Sequence, residues 1–345
     1  MNRHWLLACG IIVLVSASVH TASSGTVASP TRAAARPSTL PSDELSVLTY
    51  NVEGLPWPIA FDRPSALARI GNRLNQLRAS GTAPEIVVLQ EAFTPEARAI
   101  ARRAGYPYVA FGPTASTPRP FVDGIARDPD PWKGEGFSPI LSSGLVIMSD
   151  YRLSNIRSSP FPAGACSGYD CLANKGILSA RVAVPGTPDP VEIVTTHFNS
   201  GNPSGQPEGV SRVAYRLQME ALNDFTSDAE RKPTIRIYAG DFNIGHSPGR
   251  LSILAGYIRD KRAKIAYAMG REKYAGLCEN SDQHCLARLM NAANVPLIHA
   301  NDWQFFAVPR DVSLVPIAKE EMFRPDGEGK RLSDHLGLKV TYRFH

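Results

Sequence analysis

The residues with chemistry to offer sit at the edges of apolar runs. In RIYAGDFNIGHSP, residues 236–248, the run from Ile235 to Ala239 stops at Gly-Asp-Phe-Asn. Asp241 and Asn243 are two apart, so on an extended chain they face one side. A turn is the competing reading, because Gly, Asp and Asn favour turns for ordinary reasons. The conjunction recurs, however. LSVLTYNV ends in Tyr50-Asn51, EIVVLQ in Gln90-Glu91, and VEIVTTHF carries Thr196-His197 with Asn199 just beyond, while Ser333-Asp334-His335 precedes LGLKVTYRF. Singly, Asn51 could form a side-chain turn, Glu91 a helix cap, His197 a core histidine and Asp334-His335 a surface turn. The same residue types at the same place relative to several runs predict strand ends that converge on one cleft.

That set favours metal-assisted phosphoester cleavage. A hard divalent cation such as Mg²⁺ prefers carboxylate and carboxamide oxygens, which Glu91 could supply with help from Asn51 and Asp334. Such a cation offsets charge at a phosphoryl oxygen. Asp241 could orient and deprotonate an attacking water, and His335 and His197 could serve the leaving side. Zinc fits less well, since there is neither an HExxH-type pair nor a cysteine cluster.

The elements that must position these groups are short strands and amphipathic helices. Apolar runs at 45–52, 85–90, 144–149, 177–184, 191–198, 235–240 and 336–344 read as buried strands. Between them, Leu67, Ile70, Leu74 and Leu77 share one helical face, with Pro64 in the first turn and Gly81 at the stop. Thr94 and Pro95 begin a second helix that ends at Gly105. Residues 211–228 form a third, with Val213, Leu217 and Leu222 on its apolar side. Some strands follow one another directly, as 177–184 and 191–196 do, which predicts mixed sheets covered by helices.

The chain has 345 residues, a net charge of +5 and 5 cysteines. Residues 1–28 read as a secretory signal, with a short basic start and the apolar stretch WLLACGIIVLVSAS, which implies a secreted or periplasmic product. Residues 29–44, rich in Pro, Ser and Ala, read as a flexible lead-in, and 45–345 as a single catalytic domain. Outside the leader, Cys166, Cys171, Cys278 and Cys285 predict disulfides between sequence neighbours, Cys166–Cys171 and Cys278–Cys285. The positive charge tilts toward anionic partners such as phosphate, nucleic acid or membrane, but no dense Lys/Arg track appears.

LTYNVEG, VVLQEAF, SSGLVIMSDY, VTTHFN, YAGDFNIG and LSDHLGLKV, standing in that order over residues 45–340, resemble the endonuclease/exonuclease/phosphatase superfamily with its deoxyribonuclease-like fold. The resemblance implies an α/β four-layer sandwich, two mixed β-sheets packed face to face with helices outside. It also implies Mg²⁺-dependent phosphoester hydrolysis with one or two ions, for which Mn²⁺ or Co²⁺ could substitute. By resemblance, Asn51 and Glu91 fall on metal-site motifs, with Glu91 the main ligand and Asp334 a second metal-side carboxylate. His197 falls on the phosphate-stabilising or acid histidine, and Asp241 on the water-orienting aspartate. Asn243 falls on its phosphate-contacting partner, His335 on the general acid/base histidine, and Asp302 on the aspartate that buttresses that histidine. The letters around Asp302 depart from the usual pattern.

CSGYDCLANKGIL, residues 166–178, further resembles the loop of neutral sphingomyelinases that ends in Asn-Lys-Gly. There an aspartate and a lysine five residues apart complete the site, and Asp170 and Lys175 have that spacing. The first expectation is a monomeric enzyme that takes sphingomyelin from a phospholipid membrane surface and releases ceramide and phosphocholine. Phe121, Trp132 and Phe137 in the Pro/Gly-rich segment 112–143 are available for interfacial contact. A secreted nuclease acting on nucleic acid, another phosphoesterase, and a non-catalytic toxin-like binding module are the alternatives.

Overall fold

A strand buried on both faces shows no polar alternation, and β1 (Glu44–Asn51), buried at every position, is such a strand. In this computed structural model, residues 43–120, 128–187, 189–227, 234–270, 274–275, 300–325 and 330–345 are described, all within the unit Arg32–His345. The expected signal segment, nearly all of the lead-in, Phe121 and the Cys278–Cys285 pair lie outside the described residues.

After β1 come α1 (Arg63–Ser80), β2 (Ile86–Gln90), α2 (Pro95–Ala104), β3 (Tyr108–Phe111), β4 (Val146–Ser149), β5 (Leu153–Pro160), β6 (Gly176–Val182) and β7 (Val191–Thr196). The order continues with α3 (Glu208–Thr226), β8 (Arg236–Asp241), α4 (Pro248–Asp260), β9 (Lys264–Gly270), β10 (Tyr274–Ala275), β11 (Ala300–Ala307), β12 (Leu314–Met322) and β13 (Gly337–Phe344). One sheet has the order β12-β13-β1-β2-β4-β3 and the other β10-β9-β11-β8-β7-β6-β5. Among the described strands, β1–β2 and β7–β8 pair in parallel, and the other pairs are antiparallel. Each parallel pair is joined through a helix, α1 or α3.

Successive residues of a strand point to opposite faces, and each face here has its own core. Val47, Val88 and Ile147 meet Ala180, Ile193, Ile237 and Phe306 between the sheets. Leu48, Val87 and Leu89 face the other way, onto Leu67, Ile70, Leu74 and Ile100 of α1 and α2. On the far side, Val194, Tyr238 and Phe305 pack on Tyr215, Leu222 and Leu254 of α3 and α4. The result is the layered sandwich with helices outside two mixed sheets.

Polar ties cross the apolar layer between the sheets. Gln90 Nε2 on β2 donates to Thr195 Oγ1 on β7 at 3.1 Å. Gln304 on β11 donates to the carbonyls of Val47 (3.0 Å) and Leu338 (2.8 Å) and accepts from the Tyr342 hydroxyl (3.0 Å). Fully bonded interior amides of this kind fix one stagger of the sheets, because any slide would leave buried polar groups unpaired.

The seven runs read as strands are strands, with no end displaced by more than two residues. Helix signals also hold: Gly81 closes α1 at φ 85°, and Thr94 accepts from the Ala97 amide at the start of α2. Periodicity overlooked β3, β5, β9, β10, β11, β12 and α4. Strands β5 and β12 are sheet edges, and their sequences, LSNIRSSP and LVPIAKEEM, carry the polar residues and prolines that protect an edge from further pairing.

Phe305 stacks on Tyr238 at 4.5 Å and packs against Phe242 at 5.2 Å beneath the site. Phe305→Ala should destabilise the fold by about 4 kcal/mol, read as a lower denaturation midpoint at unchanged m-value.

Candidate active site

The site grows from the C-terminal ends of the two parallel pairs. In one sheet these ends carry Asn51 and Glu91, and in the other His197 and Asp241. His197 and Asp241 form a parallel bridge of their own. Gly240 permits that approach, since a Cβ there would lie 2.4 Å from the Thr196 carbonyl oxygen. Asp302, near the start of β11, lies opposite Asp241 in register. Asp334 and His335 come just before β13, which runs antiparallel to β1.

These ends meet as the sequence predicts. Asn51 Nδ2 donates to Glu91 Oε1 (2.9 Å) in its own sheet and across the sheets to Asp241 Oδ2 (3.0 Å). His335 Nδ1 lies 2.7 Å from Asp302 Oδ2, and its Nε2 lies 3.8 Å from Asp241 Oδ2 and 4.0 Å from Asp334 Oδ1. His197 Nε2 lies 3.6 Å from Asp241 Oδ2 and 3.8 Å from Glu91 Oε1. Gly-Asp-Phe-Asn is both a turn and part of the cleft. The Asn243 amide donates to Asp241 Oδ1 (2.9 Å), a side-chain turn, and that turn is what fixes the carboxylate toward the cleft.

Two placements differ from expectation in detail. Asn51 turns its NH₂, not its oxygen, to the carboxylates, and its Oδ1 accepts the Glu53 amide at 3.0 Å. In this geometry Asn51 steadies Glu91 rather than offering an oxygen to a cation. Asn243 spends its NH₂ on the Phe198 carbonyl (2.8 Å), so that amide pins the loop after β7 in this structure.

Charge is crowded here. Burial pushes the Glu91 carboxyl up to about 7, despite the Asn51 hydrogen bond and the positive field of Lys175 and His335. Its backbone is also held at φ 57°, the left-handed region that costs a non-glycine residue about 1 kcal/mol or more. Burial opposes the charged form of His335, but Asp302, Asp241 and Asp334 outweigh it and lift the imidazole to about 10. Asp302 is itself raised to about 6 by burial, against the pull of His335. Burial, then Lys175 and His335, hold His197 well below its ordinary value, so that ring is neutral. His197 Nδ1 and Asp302 Oδ1 are buried and find no hydrogen-bond partner among the described residues.

The donor set fits a hard cation. Glu91 and Asp334 present carboxylate oxygens with side-chain exposures of 17% and 39%, so both reach solvent at the mouth. A carboxyl raised by burial beside a second carboxylate gains most from a bound divalent ion. Asp241, Asp302 and His335 also bring ligand atoms within 4.8 Å of one another. There, however, Asp302 and His335 are already committed to each other.

The loop predicted to complete the site does reach it. Cys166–Cys171 is a disulfide, and a short 3-10 helix, Gly168–Leu172, lies beside it. Lys175, only 5% exposed, pairs with Asp170 at 2.6 Å. Its Nζ also lies 3.3 Å from His197 Nε2 and donates to the Phe198 carbonyl at 3.1 Å. Asp170 in turn accepts from the Ser200 hydroxyl at 2.7 Å.

Sequence reading passed over the supports. Glu53 accepts the Asp334 amide (3.0 Å) and pairs with Arg63 (3.4 Å), which also donates to the Leu332 carbonyl (2.7 Å). Buried Arg250 on α4 donates to the carbonyls of Asn199 (2.6 Å), Asn243 (2.9 Å) and Ser200 (3.1 Å), binding both site loops. A charged residue in an amphipathic helix gives no advance sign of this. Only Glu53, two residues beyond Asn51, had a positional clue.

The profile of the endonuclease/exonuclease/phosphatase family matches residues 48–283. This chain belongs to that family. A sphingomyelinase of Mycobacterium tuberculosis is 24% identical over 62% of this chain, and the match spans 36% of that relative, about a third of its length. Beta toxin from Staphylococcus aureus superposes with a TM-score of 0.57 at 17% identity, covering 86% of this chain and 99% of that one. A form of the same toxin with bound magnesium ions gives 0.54. Danio rerio TDP2, solved with a single-strand DNA product, gives 0.52 at 15% identity over 87% of this chain and 99% of that one. These likenesses show the shared fold, which matches the expected deoxyribonuclease-like sandwich.

A carboxyl raised in the folded state lets that state bind more protons than the unfolded chain, so Glu91 lowers stability as pH rises from its unfolded value through about 7. A bound cation removes that penalty. The gain in melting temperature on adding Mg²⁺ should therefore be larger at pH 8 than at pH 5, and Glu91→Gln should flatten the difference. Calorimetry with and without Mg²⁺ checks both.

Proposed function

We propose that this protein is a secreted Mg²⁺-dependent phosphodiesterase that hydrolyses sphingomyelin to ceramide and phosphocholine. The observation that carries the reading is Lys175, buried against His197 and paired with Asp170, at the spacing expected of the sphingomyelinase loop. The mycobacterial relatives named sphingomyelinases support it, as does the leader-like start of the chain.

The chain's own groups divide the work. Asp241 orients the attacking water, and the Asp302–His335 pair moves a proton at His335 Nε2. Lys175 and His197 meet the phosphoryl oxygens, with buried Lys175 adding positive charge. Glu91 and Asp334, with Asn51 steadying Glu91, hold the Mg²⁺ that, when bound, neutralises charge on the phosphoryl group.

A membrane substrate also needs a surface that meets lipid. Trp57 (77% exposed), Ile59 and Phe61 stand on the loop that follows Asn51, and Trp132 (93% exposed), Phe137 and Ile140 on the loop that packs against residues 168–172. Both loops rise beside the site, and aromatic side chains of this kind insert at the lipid–water interface.

The deciding experiment is phosphocholine release from sphingomyelin liposomes by the mature protein, with Mg²⁺ and then with EDTA. Release that stops with EDTA is expected. No release from folded, Mg²⁺-loaded protein that cleaves DNA would instead make it a nuclease. His335→Ala should lower kcat by about 10³-fold, in keeping with loss of acid–base catalysis, while Mg²⁺ still raises the melting temperature. Trp132→Ser with Trp57→Ser should cut turnover on liposomes about tenfold yet leave hydrolysis of a soluble phosphodiester unchanged.

A further inference from the structure

Resting on the role given to Lys175 above, we infer that Arg119 is a positioning residue that locks the segment from Asp170 to Lys175 in its site-facing arrangement. Arg119 spends its donors on one stretch of chain. Its Nε donates to Asn174 Oδ1 (2.7 Å), and Nη2 donates to the carbonyls of Ala173 (2.7 Å) and Cys171 (3.3 Å). Nη1 approaches Cys166 Sγ at 3.9 Å. All four partners lie within residues 166–174, around Asp170 and up to the residue before Lys175.

The same strand of loop grips elsewhere. Asn174, fully buried, returns its NH₂ to the carbonyls of Thr114 (2.7 Å) and Thr117 (2.9 Å), and the Pro120 carbonyl accepts the Ala163 amide (2.7 Å). Residues 114–120 thus form a clamp over the far side of the disulfide loop, with Arg119 at its centre. A guanidinium normally matches a carboxylate or phosphate. This one faces backbone carbonyls, and burial draws it down to about 10. A half-buried cation set against the last carbonyls of the 3-10 helix Gly168–Leu172 opposes their partial negative charge. Lysine, a point charge, cannot reach an amide oxygen and two carbonyls together. With residues 171–174 fixed, the Lys175 ammonium is left pointing at Asp170, His197 and the Phe198 carbonyl.

The test is a double-mutant cycle on a soluble diester, bis(p-nitrophenyl) phosphate, with Mg²⁺, so that lipid delivery plays no part. Arg119→Ala should lower kcat about tenfold with KM within about twofold, and in the Lys175→Ala background the same change should add less than about twofold. Arg119→Lys should recover part of the loss. Amide hydrogen exchange over residues 171–175 should quicken in Arg119→Ala, a readout that is independent of turnover. Equal losses in both backgrounds, or unchanged exchange in a folded Arg119→Ala protein, would overturn the inference while leaving Lys175 its role. A Lys175→Ala protein with normal kcat would remove that role and the inference together.

Discussion

The site depends on the direction of two strand pairs. A helical crossover between neighbouring strands forces them to run parallel, so β1 and β2 end side by side, as do β7 and β8. Face-to-face packing then sets one pair of ends against the other, and the Asn51 amide reaches across the join to Asp241. The antiparallel neighbours β11 and β13 run the opposite way, so their starts, not their ends, arrive at the same rim. That is why Asp302 lies near the beginning of a strand and His335 just before one. Rigid elements thus hold six of the groups, which suits a site that must be organised before substrate arrives.

Gathering carboxylates in a buried cleft is costly, and the cost is distributed unevenly. Asp302 and Asp241 face a histidine lifted to about 10, so the protein supplies their countercharge itself. Lys175 is paired with Asp170. Glu91 is the exception. Its nearest imidazole is neutral, its carboxyl is raised to about 7, and its backbone is strained. A group left in this condition by folding is one that a ligand relieves. Under the proposed function, the imbalance favours the cation on the Glu91 side and proton transfer on the His335 side.

How much of this was legible in sequence follows from burial. Strands covered on both faces leave continuous apolar runs, and the polar residues that end them stand out, so Asn51, Glu91, His197, Asp241 and His335 could be read directly. Edge strands must be polar and so resemble loops, which is why β5 and β12 escaped notice. The bracing residues escaped for a different reason. Arg250 and Glu53 act through hydrogen bonds to distant backbone, and such bonds leave no periodic trace. The orientation of an amide is equally invisible: the sequence supplies Asn51, but only packing decides that its NH₂ meets Glu91.

Under the proposed function, groups fixed at strand ends can recognise only what all phosphodiesters share, a charged phosphoryl centre and an attacking water. Discrimination among substrates must come from parts of the chain that touch the rest of the molecule. Here those parts are loops. The disulfide-closed loop leads into Lys175, and the loops that follow Asn51 and that pack on residues 168–172 expose Trp57 and Trp132. A nucleotide would ask those loops for cations along a backbone track. They offer instead large apolar side chains turned to solvent, an arrangement whose cost in water is relieved by a lipid interface.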